Sequence, residues 1–253
     1  MLSFLKEIIT RAGDICLAEQ EHLTTDDLAF KSRKDLVTAT DKKVEAFIAR
    51  QIQSQFPAHG FLGEESGRSG STGEFLWIID PIDGTTSFFH GQPYYAVSIA
   101  LEKAGETILG GVFAPALGQL FYAQKDKGAF LNERPIRVTD TRTPENAVMA
   151  TGFACLRAGL AHNNLVNFNR IVPQLRDIRR CGSAAIDLCY VACGKLDGFW
   201  EMNLHVYDVA AGILVVTEAG GTVSDFNGET HFPENGIIAA NQRLAPFLVD
   251  QLQ

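Results

Sequence analysis

No apolar run in this chain approaches the roughly 20 residues needed to cross a bilayer, which sets aside a helical membrane protein. Internal repeats, low-complexity tracts and Gly/Ser linkers are also missing, so neither a solenoid nor a disordered array is expected. Cysteine is scarce and odd in number: Cys16, Cys155, Cys181, Cys189 and Cys193, with no CxxC pair. That argues against a disulfide framework and for a reducing, cytoplasmic home. Cys189 and Cys193 lie four apart in an apolar stretch, where they read as small core residues sharing one helix face rather than a redox pair. Positive charge is in deficit as well, with 22 Lys and Arg against 30 Asp and Glu and a formal net charge of −8. Direct nucleic-acid binding is therefore not expected. A surplus of carboxylates is compatible with a bound divalent cation, which removes the cost of their mutual repulsion.

What remains is ordinary globular material: 253 residues, 46% hydrophobic and 21% charged, enough for a sizeable core. The start lacks the basic segment, apolar block and cleavage site of a signal peptide. It reads as a first helix with Leu2, Leu5, Ile9, Ala12 and Cys16 on one stripe. A second helix is predicted from Asp41 to Gln55, capped by Thr40 or Asp41 and closed by Pro57, with Val44, Phe47, Ile48 and Ile52 inward. Residues Glu64 to Glu74 read as an exposed loop, followed by FLWIID, a buried strand halted by Pro81.

Residues 94 to 123 read as three strands of an antiparallel meander with turns at Lys103–Gly105 and Pro115–Gly118. The polar stretch from Arg134 to Pro144 divides the chain into halves, 1–140 and 141–253, expected to pack as one compact unit. In the second half, helices are predicted near Leu165–Leu175, Ala184–Cys193 and Val209–Ala219. The strand-like VSDF and GIIAAN follow, joined through an Asn227-Gly228 turn, and a final helix ends at Leu252. Helices and antiparallel strands alternate in blocks without strict βαβ repetition, which predicts a layered α/β protein rather than a Rossmann fold or barrel.

Three acidic stretches stand out. In WIIDPIDGTTSFFH, residues 77 to 90, Asp80 and Asp83 flank a proline turn that can aim both carboxylates and the Ile82 carbonyl into one space. Hard divalent cations take such oxygen ligands. Gly84, Thr85 and Thr86 then offer backbone amides to a phosphate if a helix begins there. The same Asp-Pro and Asp-Gly steps also suit ordinary turns, and the segment alone does not choose between the two. Glu64 and Glu65 follow a short apolar run, where adjacent acids usually mean solvated surface. Asp208 opens a strong helical pattern and by itself reads as an N-cap, with Glu201 seven residues earlier.

Taken together, these segments resemble the inositol monophosphatase family. WIIDPIDGTTSFFHG looks like its first signature, W-x-x-D-P-[IL]-D-G-T-T-N-F, and YDVAAGILVVTEAGG is similar to its second, W-D-x-A-A-G…EAGG. DLVTATDKKVE at 35–45, GEES at 63–66 and GSAAIDLCYVACGKLDGFWE at 182–201 match further blocks in order, so the resemblance covers nearly the whole chain. Ser87 stands where the family has Asn and Tyr207 where it has Trp, and neither is a presumed metal ligand.

The resemblance implies an αβαβα sandwich of mainly antiparallel sheets, like fructose-1,6-bisphosphatase, and a lithium-sensitive, magnesium-dependent phosphatase. It implies two to three Mg2+ ions: Glu64, Asp80 and the Ile82 carbonyl hold the first, and Asp80, Asp83 and Asp208 the second, with a third near Glu64. Thr85 backed by Asp41 is the implied water-orienting pair. Gly84, Thr85 and Thr86 would line the phosphate, while Gly182, Ser183, Ala184 and Glu201 would face the alcohol. The expected partner is a small phosphorylated polyol, inositol monophosphate first. Fructose 1,6-bisphosphate, NADP, histidinol phosphate and 3′-phosphoadenosine compounds are alternatives within the same chemistry. The resemblance further implies a homodimer, and some bacterial relatives carry an RNA- or transcription-associated binding role.

Overall fold

The computed structural model describes residues 1–23, 28–32, 35–71 and 73–252, with side chains described outside 24–37. Of the family-like block at 35–45, the side chains of 35–37 lie outside this set, as does residue 72 of the predicted 64–74 loop.

The chain opens with helix α1 (Leu2–Gln20) and a two-stranded ribbon, β1 (Leu28–Ser32) and β2 (Asp35–Thr38), leading into α2 (Ala39–Gln55). Strands β3 (Gly60–Gly63), β4 (Gly67–Gly70) and β5 (Phe75–Asp83) are followed by the short helix α3 (Thr85–Phe89). The meander β6 (Ala96–Lys103), β7 (Glu106–Ala114), β8 (Gln119–Gln124), β9 (Ala129–Leu131) and β10 (Arg134–Pro135) completes an eight-stranded sheet of order β10-β9-β8-β7-β6-β5-β3-β4. Only β3 and β5 in it run parallel.

The second half contributes β11 (Val148–Thr151), α4 (Ala154–Arg157), α5 (Leu165–Ile171), β12 (Asp177–Arg179), α6 (Ala184–Ala192), β13 (Gly198–Glu201), α7 (Val206–Glu218), β14 (Thr222–Ser224), β15 (Ile237–Ala240) and α8 (Ala245–Gln251). Its five strands form a second sheet of order β12-β11-β13-β15-β14, in which β11 is parallel to both its neighbours.

Strand alternation assigns each sheet face to a layer. Trp77 and Ile79 of β5 pack against Leu5, Ile8 and Ile9 of α1 and Val44, Ile48 and Ile52 of α2. Ile78, between them, turns the other way, into a core with Ala185, Ile186 and Leu188 of α6 and Val209, Ala211 and Val215 of α7. Phe199 reaches the same central core from the second sheet, while its neighbour Trp200 faces outward to Ile171, Leu244 and Leu248, beside α5 and α8. The result is the αβαβα sandwich that the resemblance implied. Every large apolar side chain fully withdrawn from water contributes about 1.5–3 kcal/mol, and three such cores outweigh any single polar contact. No helix among the described residues is long and apolar enough to cross a membrane.

Several sequence-based boundaries shift for physical reasons. Helix α2 starts two residues earlier than expected: Thr38 is its N-cap, and Asp41 sits in the first turn, reaching back to the Thr38 N–H at 2.8 Å. Asp208 is likewise no N-cap, because α7 is capped at His205 and Asp208 accepts the His205 N–H at 2.6 Å. The loop after Glu64 contains strand β4, an exposed edge whose Gly and Ser residues carry no burial pattern. Pro81 does not end its strand. β5 runs on to Asp83, with the ladder shifting register between Asp80 and Asp83 so that the missing proline N–H falls at a bulge. Helix α5 stops at Ile171 and continues only as a 3-10 turn, Val172–Gln174, where Pro173 interrupts it. All five cysteines are free thiols. Cys189 joins the central core, and Cys193 packs half-buried beside it.

Candidate active site

The bulge that carries Pro81 aims β5 at the place where several helices begin. The starts of α3 and α7 supply lining residues there, while α2 and α6 reach it through the Asp41 contact with Thr85 and the Ser183 and Ala185 bonds to Asp83; unpaired first-turn N–H groups make such ends favourable to anions. Asp80 is almost fully buried, Asp83 and Asp208 are partly exposed, and the oxygens these three offer lie within 4.8 Å of one another. They line a cavity of about 400 Å³ together with Glu64, Ile82, Gly84, Thr85 and Thr86.

Each carboxylate has one oxygen anchored by a local donor, which fixes its direction. Asp80 Oδ1 accepts the Ile82 N–H at 3.0 Å across the proline bulge. Asp83 Oδ2 accepts the Ser183 hydroxyl at 2.6 Å and the Ala185 N–H at 2.7 Å, tying β5 to the start of α6. Asp208 is held by the His205 N–H. Asp41 Oδ2 accepts both the N–H and the hydroxyl of Thr38, leaving Oδ1 to accept the Thr85 hydroxyl at 3.2 Å. The same hydroxyl lies 3.1 Å from the Ile82 carbonyl oxygen.

Glu64 is positioned by a residue that sequence reasoning did not single out. Buried Glu45 of α2 accepts the N–H groups of Glu65 and Ser66 at 2.8 and 2.9 Å, clamping the turn after β3. Gly63 is required beside it, because a Cβ there would collide with the Glu45 carboxyl. Gly84 is a second enforced glycine. It lies in the left-handed region at φ 92°, where a Cβ would sit 2.7 Å from the Tyr94 carbonyl oxygen and 3.1 Å from that of Gly182.

Burial raises the Asp80 carboxyl well above its ordinary value, and the charges of Glu64, Asp83 and Asp208 raise it further. Burial, then Asp83, does the same to Asp208. Asp83 is raised by burial, opposed by its Ser183 and Ala185 bonds and by the positive charges of Arg157 and Arg180. Asp41 is pushed up to about 6, chiefly by burial and against the Thr38 bonds. Acids crowded to this degree gain from a divalent cation, and hard oxygen donors with no thiol or imidazole among them fit Mg2+ or a similar ion.

Not every expected residue faces the cavity. Gly182 does, whereas Ser183 is buried as the N-cap of α6 with its hydroxyl spent on Asp83, and Ala184 lies behind it. Glu201 is buried at the end of β13, accepting the Ala154 N–H at 3.0 Å against Gly152, so it stands behind the wall rather than on it. Burial raises its carboxyl to about 7. Conversely, Ser87, Gln92, Arg157, Arg180 and Cys181 line the cavity without having been expected as site residues. Only the Arg179-Arg180-Cys181 run just before the GSAA block could have drawn attention.

A layered fold that converges aspartates and helix starts on one cavity suits an enzyme that acts on anionic esters with the help of metal. The chain belongs to the inositol monophosphatase family, a family of metal-dependent phosphatases whose model matches residues 1–253. It is 38% identical over 255 residues to inositol-1-monophosphatase of Rhizobium meliloti, covering 100% of this chain and 96% of that one. It is 39% identical over 259 residues to the Nus factor SuhB of Pseudomonas aeruginosa, again covering 100% and 96%. Among solved structures, the extragenic suppressor protein suhB of Bartonella henselae superposes with a TM-score of 0.92 at 38% identity, covering 99% of this chain and 97% of that one. The inositol monophosphatase of Anabaena gives 0.89 at 35%, covering 99% and 94%.

Proposed function

We propose that the protein is a Mg2+-dependent phosphatase of small polyol phosphate monoesters, with inositol monophosphate as the leading substrate. The carrying observation is the convergence of Asp80, Asp83 and Asp208 to within 4.8 Å in a cavity that Glu64 also lines. Glu64, Asp80 and the Ile82 carbonyl would hold one ion, and Asp80, Asp83 and Asp208 a second, with a third beside Glu64. The ligands come from both halves of the chain, so 1–140 and 141–253 act as one catalytic unit. When bound, the cations acidify water and draw charge from the phosphate oxygens.

The chain's own residues supply the rest. The Thr85 hydroxyl, donating toward Asp41, leaves its lone pairs to receive a hydrogen bond from the attacking water. Asp41, already pushed up to about 6, is poised to take the proton at neutral pH. Gly84, Thr85 and Thr86 present first-turn amides toward the phosphate, where they would stabilise charge on its oxygens. Gly182 borders the alcohol side, and Ser183 acts through Asp83.

The test is turnover of inositol 1-phosphate with and without Mg2+, in wild type and in Asp83→Asn. The substitution removes one charge and almost no volume, so kcat/KM should fall on the order of 10³-fold. Its metal-free melting temperature should stay within a few degrees of wild type. Near-normal turnover would take Asp83 out of the ligand set. Millimolar lithium should inhibit; full resistance would count against the third ion. The likeness to Nus factors supports a second reading, in which a transcription-associated protein partner binds independently of catalysis. Asp83→Asn would retain such a partner in a pull-down, whereas capture that requires an intact metal site would discard that reading.

A further inference from the structure

The cavity is not uniformly acidic. Arg157, the last residue of α4, and Arg180, just after β12, bring two guanidiniums to its lining. Both side chains are exposed, in contrast to Asp80 at 1% exposure on the cavity floor, so they mark its outer end. Some cations elsewhere on the surface are ion-paired: Lys43 with Glu19, Lys103 with Glu74, and Arg179, the immediate neighbour of Arg180, with Asp177 at 2.6 Å. Among the described residues, neither Arg157 nor Arg180 makes an ion pair or a side-chain hydrogen bond. Arg180 folds across the Gly182 turn, its Nη1 only 3.0 Å from where a Gly182 Cβ would lie, and the Gly182 carbonyl in turn abuts Gly84. The arginine wall therefore adjoins the phosphate side without being part of the deep carboxylate cluster. A cavity of about 400 Å³ is several times the size of a phosphate group, so the remainder of the ester must extend along this wall.

We propose that Arg157 and Arg180 form an anion subsite at the outer end of the cavity. It selects esters carrying a second anionic group, phosphate or carboxylate, several atoms from the scissile phosphate. The proposal rests on the phosphatase reading and moves its preferred substrate from a plain monoester such as inositol monophosphate to a polyol ester with a second anionic group. Guanidinium forks suit both groups, and two of them facing one opening in a chain of net charge −8 also supply local attraction that the protein as a whole lacks.

Three ligands that share one sugar test it: glucose 1-phosphate, glucose 1,6-bisphosphate and glucuronic acid 1-phosphate. Wild type should favour each doubly anionic ester over glucose 1-phosphate by about tenfold in kcat/KM, mainly through KM. Arg157→Ala with Arg180→Ala should bring both ratios close to one, and the two Arg→Lys changes should restore part of the preference. Rising salt should shrink it, because the guanidiniums are exposed. Preference for the bisphosphate alone would narrow the subsite to phosphate. Absence of any preference in wild type, or an equal loss on all three esters in the double variant, would overturn the proposal. Calorimetric binding of the same ligands with Ca2+ in place of Mg2+ reads the subsite without turnover. Undetectable hydrolysis beside an intact binding preference would sink the phosphatase reading and leave the subsite standing.

Discussion

At the scale of single residues, Asp41, Asp80, Asp83 and Asp208 each have one oxygen anchored by a hydrogen-bond donor. In Asp41, Thr38 holds Oδ2, and Thr85 meets Oδ1. Removing the hydroxyl in Thr85→Ala should lower kcat by roughly 10²–10³-fold with little change in KM, while Thr85→Ser keeps most of the rate. Steady-state kinetics decides it, and an unaffected alanine variant would remove Thr85 from proton transfer. The Asp80–Asp83 segment was legible because a short contiguous motif encodes its geometry, whereas the Asp41–Thr85 contact, 44 residues apart in the chain, came only from the family resemblance. Arg157 and Arg180 were not legible, because an isolated exposed arginine has no periodicity and acquires meaning only when α4 and the β12–α6 turn fold over the cavity. Glu201 was named from the resemblance alone, and its buried carboxyl accepts the Ala154 N–H instead of lining the cavity.

At the scale of elements, the positions that matter are ends. Asp41 and Asp208 both occupy the third helical position of α2 and α7, where a carboxylate can bond back to the N-cap N–H. Sequence reading located these helices correctly from their apolar stripes but set their starts two or three residues late, since an acid in the first turn imitates a cap. The parallel strands β11 and β13 escaped notice because short buried strands leave no alternation to read. The turn after β3 makes the sharpest test of an element. Glu45→Ala would leave the Glu65 and Ser66 N–H groups without their acceptor and release Glu64 from its position. Metal affinity should fall about 10–100-fold, as when any group supporting a ligand is lost, alongside roughly 1–3 kcal/mol of stability. Titration of Mg2+ activation measures the first, and unchanged affinity would mean the turn holds itself.

At the scale of the molecule, five layers exist to bring the strand end β5 and the starts of α2, α3, α6 and α7 to one point, and the electrostatic cost of that convergence sets how stability responds to pH. Asp41 at about 6 and Glu201 at about 7 bind protons more tightly folded than unfolded, burial being the main cause in both. A group raised in this way stabilises the fold fully below its unfolded value, near 4, and loses that contribution as pH rises through its folded value. The metal-free protein should therefore become less stable between about pH 4 and pH 7, opposite to a protein whose acids are ion-paired. Cations act in the other direction, because they bind the deprotonated carboxylates and compete with protons there. Melting curves after chelation should show a midpoint at pH 5.5 higher than at pH 8 by roughly 5 °C. Saturating Mg2+ should raise the pH 8 midpoint by more than it raises the pH 5.5 one. A chelated protein that is equally stable or more stable at pH 8 would mean the buried acids are neutralised by protein groups, and the convergence of carboxylates would no longer point to a cation.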